Sequence, residues 1–401
     1  MVTKSNLFAL DLGTTKFCIG SLMQHQTQNP RLQIVDTPAK GMRRGMLADF
    51  DQAVSALNQL IEKAEAKFET DIRKIVVGVA GSHLRGQIVQ QEVILDNEAV
   101  TEDHIQQLSE LADRAHSDEF REVLHCIPVD YQLDDREPIT NPHGFSGRKI
   151  LGRFFIIDAD QSYLKDTVRL CNQVGLEVSH MFSEPFASAS VTIDDVHKER
   201  GVAIADIGGG TTDGLVFQNG RPVDIFTINI AGMMMTRDLA VGLGISEMRA
   251  ESIKCDHGLS LSSMANAFEE DNIYGQKTRI EPKTVETILR ARILELGGFL
   301  AESLKKYRGQ LGAGVYLTGG GSKVKGLDQM LTEKFGIGVH SIDPLFNLNQ
   351  TTFDQYQSRY ATVIGLLNLE LCRQRSLKSM RSQFWAKKYI DHFVNWIREL
   401  S

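Results

Sequence analysis

The stretch Val202-Ala-Ile-Ala-Asp206-Ile-Gly-Gly-Gly-Thr-Thr-Asp213-Gly-Leu215 decides the fold. An apolar run ends in an acid, opens onto three glycines and two threonines, and resumes as residues 215–218. Asn219-Gly220 supplies a tight-turn dipeptide, and residues 223–230 return as a third strand. The same figure stands near the N-terminus. Residues 7–11 are apolar up to Asp11, Gly13-Thr14-Thr15 makes the turn, and residues 17–23 run back. Two copies with acids at matching places predict two domains built on one plan.

The turns carry a chemistry. Backbone N–H groups of a glycine-rich turn approach an anion closely, and threonine hydroxyls add donors. Gly13, Thr14 and Thr15 serve one copy; Gly208, Gly209, Gly210, Thr211 and Thr212 serve the other. Lys16 adds a positive charge beside the first turn. Asp11 and Asp206, at the strand ends, suit a Mg²⁺ ion held largely through its waters. Facing each other, the hairpins would hold the β- and γ-phosphates of a nucleotide from both sides. A third glycine stretch, Leu317-Thr318-Gly319-Gly320-Gly321-Ser322, reads as strand, turn and helix, and would take the nucleoside or α-phosphate at the helix start. No GxxxxGK[ST] motif occurs, which excludes P-loop ATPases, and no strand-associated GxGxxG points to a dinucleotide.

Composition sets the frame. At 401 residues the chain has room for two or more domains, and 42% hydrophobic with 24% charged residues excludes wholesale disorder and fibrous folds. No uncharged stretch is long and apolar enough for a spanning helix. Asp11 and Lys16 interrupt what would otherwise resemble a signal peptide. A net charge of −7 argues against a nucleic-acid binder. Cys18, Cys126, Cys171, Cys255 and Cys372 are scattered, with no CxxC pair, as expected of reduced cytoplasmic thiols. The histidines show no HExxH arrangement, so a catalytic metal site is not expected.

Elsewhere, residues 53–68 have helical spacing and 74–80 read as a buried strand. Residues 82–158 are more polar, with a helix at 101–116 and several short strands separated by Pro128, Pro138, Pro142 and Gly144; they read as a small inserted α+β module. Residues 246–307 read as mostly helical, and Met233-Met234-Met235 as packing at a helix start.

The C-terminus reverses the charge. Residues 371–401 carry seven basic and two acidic side chains, so a tail of +5 follows a body of −12. Placed at 100° per residue, Trp385, Trp396, Tyr389, Leu400, Phe393, Ile397 and Ile390 share one face of a helix, with Lys387, Lys388, Asp391, Asn395, Arg398 and Glu399 around the rest. Phe384 opens this segment. Both tryptophans of the protein lie on that face, and the stretch before it has four positive charges and no acid from Leu371 to Gln383. This pattern suits the headgroup boundary of an anionic membrane, which Phe384, Trp385, Lys388, Tyr389, Phe393, Trp396, Ile397 and Leu400 would meet. One such helix binds reversibly, so a self-assembling body would strengthen it by avidity.

Five segments in order resemble the actin, heat-shock chaperone and sugar-kinase ATPases: Asp11-Leu-Gly-Thr-Thr, Ser183-Glu184-Pro185-Phe-Ala187, Asp206 to Asp213, Leu317 to Ser322, and Tyr360-Ala361-Thr-Val-Ile-Gly365. Within them, Lys40-Gly-Met-Arg-Arg-Gly45, Val79-Ala-Gly-Ser-His83, Leu124-His-Cys-Ile-Pro128 and Asn141-Pro-His-Gly144 resemble the FtsA family of bacterial cell division, over essentially the whole chain. The resemblance implies an α/β, actin-like fold: two RNase-H-like domains around a nucleotide cleft, an inserted α+β subdomain of the 1C type, and a C-terminal amphipathic helix. Residues 1–81 and 159–196 would form subdomain 1A, with 358–372 returning to it, and 82–158 would form 1C. Residues 197–230 and 313–357 would form 2A, 231–312 would form 2B, 373–383 a basic linker and 384–400 the membrane helix.

The resemblance also assigns roles. Asp11 and Asp206 would flank Mg²⁺ and its waters; Thr14, Thr15, Lys16 and Gly208 to Thr212 would hold phosphate. Glu184 matches the acid that chaperone ATPases place near the attacking water, with a hinge role equally open. Glu251 and Lys254 match the helix that grips ribose and adenine, and Gly319, Gly320 and Gly321 would close over the adenosine. Ala231-Gly232 stands where relatives often have Gly-Gly. Arg290 and Arg292 lie where the family receives the acidic-apolar tail peptide of FtsZ, the tubulin-like division protein. The expected function is a Mg-ATP-dependent, self-assembling adaptor with slow turnover. It would tie FtsZ filaments to the inner face of the cytoplasmic membrane at the septum and recruit other division proteins through the inserted module, with no role for nucleic acid. A pilus-assembly actin homologue binding an inner-membrane partner, and a small-molecule kinase, are the competing classes.

Overall fold

The computed structural model describes residues 5–24, 31–115, 118–263, 267–344 and 357–380. The chain opens with three antiparallel strands, Ser5–Leu12 (β1), Lys16–Gln24 (β2) and Arg31–Pro38 (β3), with Asp11 opposite Cys18 across the first hairpin. A short ladder, Met42–Arg43 (β4) against Met46–Leu47 (β5), leads to the helix Phe50–Phe68 (α1). Asp49 caps that helix by accepting the Gln52 N–H. Its buried stripe of Ala53, Leu57, Leu60, Ala64 and Phe68 recurs at helical spacing and covers one face of the sheet. Lys74–Val79 (β6) then joins parallel to β1.

The inserted module follows: Leu84–Ile94 (β7), Glu102–Ala115 (α2), Arg121–Leu133 (β8) and Lys149–Asp160 (β9), with sheet order β7-β9-β8. Its strands are not short pieces cut at prolines; they are 11, 13 and 12 residues long. Pro128 sits inside β8, an edge strand whose register shifts between Pro128 and Asp130, and an edge tolerates a residue without an N–H. Leu108 and Ala112 of α2 pack on Leu133, Ile150 and Phe154. The other face of β9 sends Phe155 and Ile157 into a cluster with Ala189, Ile204 and Leu215, so the module is wedged against the rest of the molecule by apolar packing.

Gln161–Gln173 (α3) and Glu177–Ser183 (β10) complete the first sheet, β10-β6-β1-β2-β3. Glu184–Thr192 (α4) and Asp195–Glu199 (α5) lead to Val202–Ile207 (β11), Thr212–Gln218 (β12) and Arg221–Ile228 (β13). Next come Gly232–Leu243 (α6), Glu247–His257 (α7), Phe268–Asp271 (β14), Lys277–Ile280 (β15) and Pro282–Ser303 (α8). Val315–Thr318 (β16), Leu327–Phe335 (α9), Val339–Ser341 (β17) and Ala361–Met380 (α10) finish the described chain. The second sheet runs β13-β12-β11-β16-β17. In both sheets three antiparallel strands are followed by two parallel ones, which is one plan used twice.

The hairpin β14–β15 interrupts the region expected to be mostly helical. Its four-residue strands are too short to display an alternation, and the turn is made by Asn272, whose side chain accepts the Tyr274 and Gln276 N–H groups at 2.9 Å each. The chain passes from the first lobe to the second after α4 and returns at α10. These two helices touch so closely that a Cβ on Gly365 would lie 2.0 Å from the Ala187 carbonyl oxygen. Beyond Leu371, α10 continues to Met380 through part of the stretch expected to be a linker, and Arg373 there is a bidentate partner of buried Glu370. The aromatic helix expected at 384–400 lies outside the described residues. Among those described, no helix is long and apolar enough to cross a membrane.

Candidate functional site

The two glycine turns meet between the lobes. A Cβ on Gly209 would fall 2.3 Å from Thr15 Cγ2, and one on Gly210 would fall 2.3 Å from Thr14 Oγ1, so only glycine lets the turns approach this far. In the first turn Lys16 Nζ donates to Asp11 Oδ2 at 2.7 Å. Burial works against the Lys16 charge, but the Asp11 carboxylate and its hydrogen bond, together with other nearby groups such as Glu184, raise the ammonium pKa. Thr14 Oγ1 accepts the Gly45 N–H at 3.0 Å, which leaves its hydroxyl proton to donate elsewhere. In the second turn, the Gly208 N–H donates to Thr211 O at 3.0 Å. Thr212 donates to Ile230 O at 2.7 Å and so serves the turn's frame.

The start of α6 is docked on that turn: Gly232 N–H donates to Gly208 O and Met233 N–H to Gly209 O. Ala231 is fully buried, so its methyl lies in the protein interior. Buried Lys254 of α7 donates to Gly232 O (3.1 Å), Thr236 Oγ1 (2.9 Å) and Glu251 Oε2 (2.6 Å). Burial alone would raise the Glu251 pKa, yet Lys254 beside it holds it below the ordinary carboxylate value. A Cβ on Gly232 would meet Gly208 O, Lys254 Nζ and Gly321 Cα, all within 4 Å. The third glycine loop thus reaches the same place. Gly319 has φ of 83° and presses on Asp206, while Gly320 is exposed. Ser322 Oγ donates to Gly319 O at 2.8 Å, so this hydroxyl closes the loop on itself.

Four acids gather behind the turns. Asp206 Oδ2 accepts from Ser188 Oγ at 2.6 Å and from Thr362 Oγ1 at 3.2 Å. Burial, offset in part by the Ser188 bond and reinforced by the Asp11 charge, pushes its pKa up to about 6. Asp213, whose role the sequence reading leaves unassigned, accepts from Thr211 Oγ1 and Thr227 Oγ1 at 2.6 Å each. Thr227 Oγ1 also lies 3.3 Å from Gly81 O at the root of the inserted module. Glu184 stands at the start of α4, with its carboxyl against Gly78. Burial and the charges of Asp11, Asp213 and Asp206 raise its pKa well above the ordinary value. The residue before it is held from the module, since Ser183 N–H donates to His125 Nε2 at 2.9 Å.

This donor set fits a polyphosphate and a hydrated cation. Glycine amides, two threonine hydroxyls and Lys16 converge from both lobes, and Gly208, Gly232 and Gly321 come together beside them. The acids outnumber the nearby ammonium groups, so a cation would lower their mutual repulsion. Among the described residues no three His, Cys, Asp or Glu side chains converge to hold a bare metal ion, so such a cation would be held through its waters.

Arg290 and Arg292 lie on α8, apart from this cleft. Arg292 makes a bidentate pair with Asp238 of α6, at 2.5 and 2.9 Å, and also contacts Glu295. Arg290 is half exposed and lies 3.4 Å from Glu286 one turn away. Arg292 therefore ties α8 to α6, and Arg290 is the more available to a partner.

Two like-built lobes, an inserted three-stranded module and glycine turns facing across the cleft define an actin-like α/β protein. Solved structures agree on the fold. The PilM-PilN type IV pilus biogenesis complex matches with TM-score 0.61 and 17% identity, covering 92% of this chain and 99% of that one. MreB5 of Spiroplasma citri bound to ADP matches with TM-score 0.55 and 15% identity, covering 93% and 98%. Residues 203–365 match the family described as cell division protein FtsA, and residues 81–157 match the SHS2 domain inserted in FtsA. The FtsA proteins of Escherichia coli K12 and Neisseria meningitidis are each 28% identical, over 90% of this chain and 89% and 88% of their own lengths. FtsA of Pseudomonas aeruginosa is 27% identical over 93% and 91%. The chain belongs to the FtsA family of actin-like cell division proteins.

Proposed function

We propose that this protein binds Mg-ATP between its lobes, assembles with copies of itself, and tethers FtsZ filaments to the inner face of the cytoplasmic membrane at the division site. The observation that carries the nucleotide part is the contact of the two turns, Gly209 against Thr15 and Gly210 against Thr14. Thr14, Thr15, Lys16 and the amides of Gly209 and Gly210 would hold the phosphates, with Gly208 shaping the turn through its bond to Thr211 O, and Asp11 and Asp206 would hold the waters of Mg²⁺. The metal supplies charge neutralisation on the phosphates. Glu251, Lys254, Gly232, Gly319, Gly320 and Gly321 would enclose the nucleoside.

Bound this way, the nucleotide would touch both lobes and brace them, with hydrolysis secondary. The MreB5 structures hold ADP or AMPPNP, which supports a nucleotide for this fold. Family membership supports the division role. The Trp385-to-Leu400 sequence supports a peripheral membrane anchor, Arg290 is the nearer candidate for an acidic tail peptide of FtsZ, and the inserted module would receive other division proteins.

The test is one preparation with two readouts. The full chain and a chain ending at Gln374 are compared for Mg-ATP binding by calorimetry and for co-sedimentation with anionic vesicles. The expected outcome is equal ATP affinity, with only the full chain pelleting. Pelleting of both, or of neither, removes the anchor from the tail, and failure to bind Mg-ATP removes the nucleotide reading.

A further inference from the structure

The two helices that connect the lobes each send one hydroxyl to one atom. Ser188 lies on α4, after which the chain leaves the first lobe, and Thr362 lies on α10, by which it returns. Both are buried, and both reach Asp206 Oδ2, at 2.6 and 3.2 Å, with 3.2 Å between the hydroxyls themselves. Asp206 belongs to β11 in the second lobe. The grip therefore crosses from lobe to lobe. Its geometry is unlike that of an ordinary helical hydroxyl: Thr192, one turn beyond Ser188, donates back to the Ser188 carbonyl at 2.7 Å, whereas Ser188 turns its proton out to the carboxylate. The second carboxylate oxygen, Oδ1, is crowded by Gly319, where a Cβ would fall 2.2 Å away. With Oδ2 hydrogen-bonded and Oδ1 bounded on one side by Gly319, the plane of the half-buried carboxylate is fixed before any ligand arrives.

We infer that Ser188 and Thr362 are positioning residues for metal-nucleotide binding, holding Asp206 in the orientation that meets the waters of Mg²⁺. This rests on the nucleotide reading above. Each hydroxyl has a single proton, so either both donate to Asp206, or Thr362 donates to Ser188 and Ser188 to Asp206. Ser188 is the donor nearest the carboxylate in either arrangement, and its loss has the larger effect. A carboxylate free to rotate still repels the phosphates but no longer presents its oxygens to the hydrated cation. The defect therefore belongs to the metal-dependent part of binding.

The experiment is calorimetric titration of ATP into the full chain at graded free Mg²⁺ and in excess chelator, for the parent protein, Ser188→Ala, Thr362→Val and Thr362→Ser. Ser188→Ala is expected to raise the half-saturating Mg²⁺ about tenfold, the loss of one charge-assisted hydrogen bond. Thr362→Val is expected to raise it about threefold, its bond being longer. Thr362→Ser restores the hydroxyl and the parent value, and affinity for ATP in chelator is the same in all four.

A half-saturating Mg²⁺ unchanged in Ser188→Ala overturns the inference. So does an equal loss with and without Mg²⁺, which would mark a packing role in the hinge. If Ser188→Ala does not fold, judged by its melt without nucleotide, the Thr362→Val and Thr362→Ser pair decides, since valine keeps the volume of threonine. A parent protein that binds no ATP at any Mg²⁺ level instead refutes the nucleotide reading itself.

Discussion

His125 shows how much one side chain can organise at the root of the site. It belongs to the inserted module, accepts the Ser183 N–H at 2.9 Å, stacks on Phe182 and meets the ring of Phe186 at a tilt. Burial pushes its pKa down to about 3, so the ring is neutral and Nε2 is free to accept. The sign of the resulting pH dependence follows. Below pH about 6.5 the unfolded chain takes up a proton that the native ring refuses until about pH 3, so this group costs about 1.4 kcal/mol of stability for each pH unit descended. His83, pushed down to about 4 by burial, acts the same way. Asp206 and Glu184, with raised pKa values, act oppositely: their native forms hold protons that the unfolded chain has released, which favours the fold as pH falls. A comparison of variants isolates the histidine. His125→Gln keeps an acceptor for Ser183 and removes one titrating ring, so between pH 6.5 and 5 it is expected to lose about 2 kcal/mol less stability than the parent. Urea midpoints at the two pH values check this, and equal losses would mean that the ring titrates normally. At this scale the sequence is legible in part. Asp11 and Asp206 announce themselves because each ends an apolar run before a glycine turn. His125 and Asp213 do not, because the partners that give them meaning, Ser183 for one and Thr227 for the other, lie on other elements.

At the level of elements, the module is fastened where β9 rejoins the first lobe. Asp158 is fully buried on β9 and accepts from Arg121 of β8 and, at 3.3 Å, from Arg85 of β7. Arg121 also donates to the His83 carbonyl at 2.6 Å, so one carboxylate ties all three strands to the turn that precedes them. Removing a buried charge whose partners remain is far costlier than removing an exposed one. Asp158→Asn is expected to lower stability by about 3 kcal/mol, while Arg85→Gln, at a side chain 45% exposed, costs under about 1 kcal/mol. Chemical denaturation of both variants measures the difference, and similar losses would show that Asp158 is not the fastening. The paired hairpins of the two lobes are readable because turn chemistry and apolar runs coincide there. The long strands of the module are not, since Pro128 looks like a break until β8 is known to be an edge. The β14–β15 hairpin escapes for a different reason: its two strands are shorter than the window over which a period can be seen.

For the whole molecule the charge arrangement matters most. Residues 371–401 carry +5 against a body of −12. On the proposed reading, with Arg373 paired with Glu370, attraction to an anionic surface would fall to Arg375, Lys378, Arg381, Lys387, Lys388 and Arg398. On that reading two forces hold the tail on lipid, and salt separates them. Insertion of the Trp385, Phe393 and Trp396 face is insensitive to ionic strength, whereas the attraction of the basic side chains is screened over a Debye length of about 10 Å at 0.1 M and about 3 Å at 1 M salt. The acidic body meanwhile repels anionic lipid. That repulsion is common to parent and variant and cancels when they are compared at the same salt. Replacing Lys387 and Lys388 together by glutamine is then expected to weaken binding to anionic vesicles by about 2 kcal/mol at low salt, more than tenfold, and by almost nothing at about 1 M. Trp385→Glu, which removes apolar insertion, weakens binding at every salt concentration. Vesicle co-sedimentation across a salt series distinguishes the two. A loss for the lysine variant that persists undiminished at high salt would mean that Lys387 and Lys388 support the fold of the tail, and that the electrostatic part of the anchor lies elsewhere.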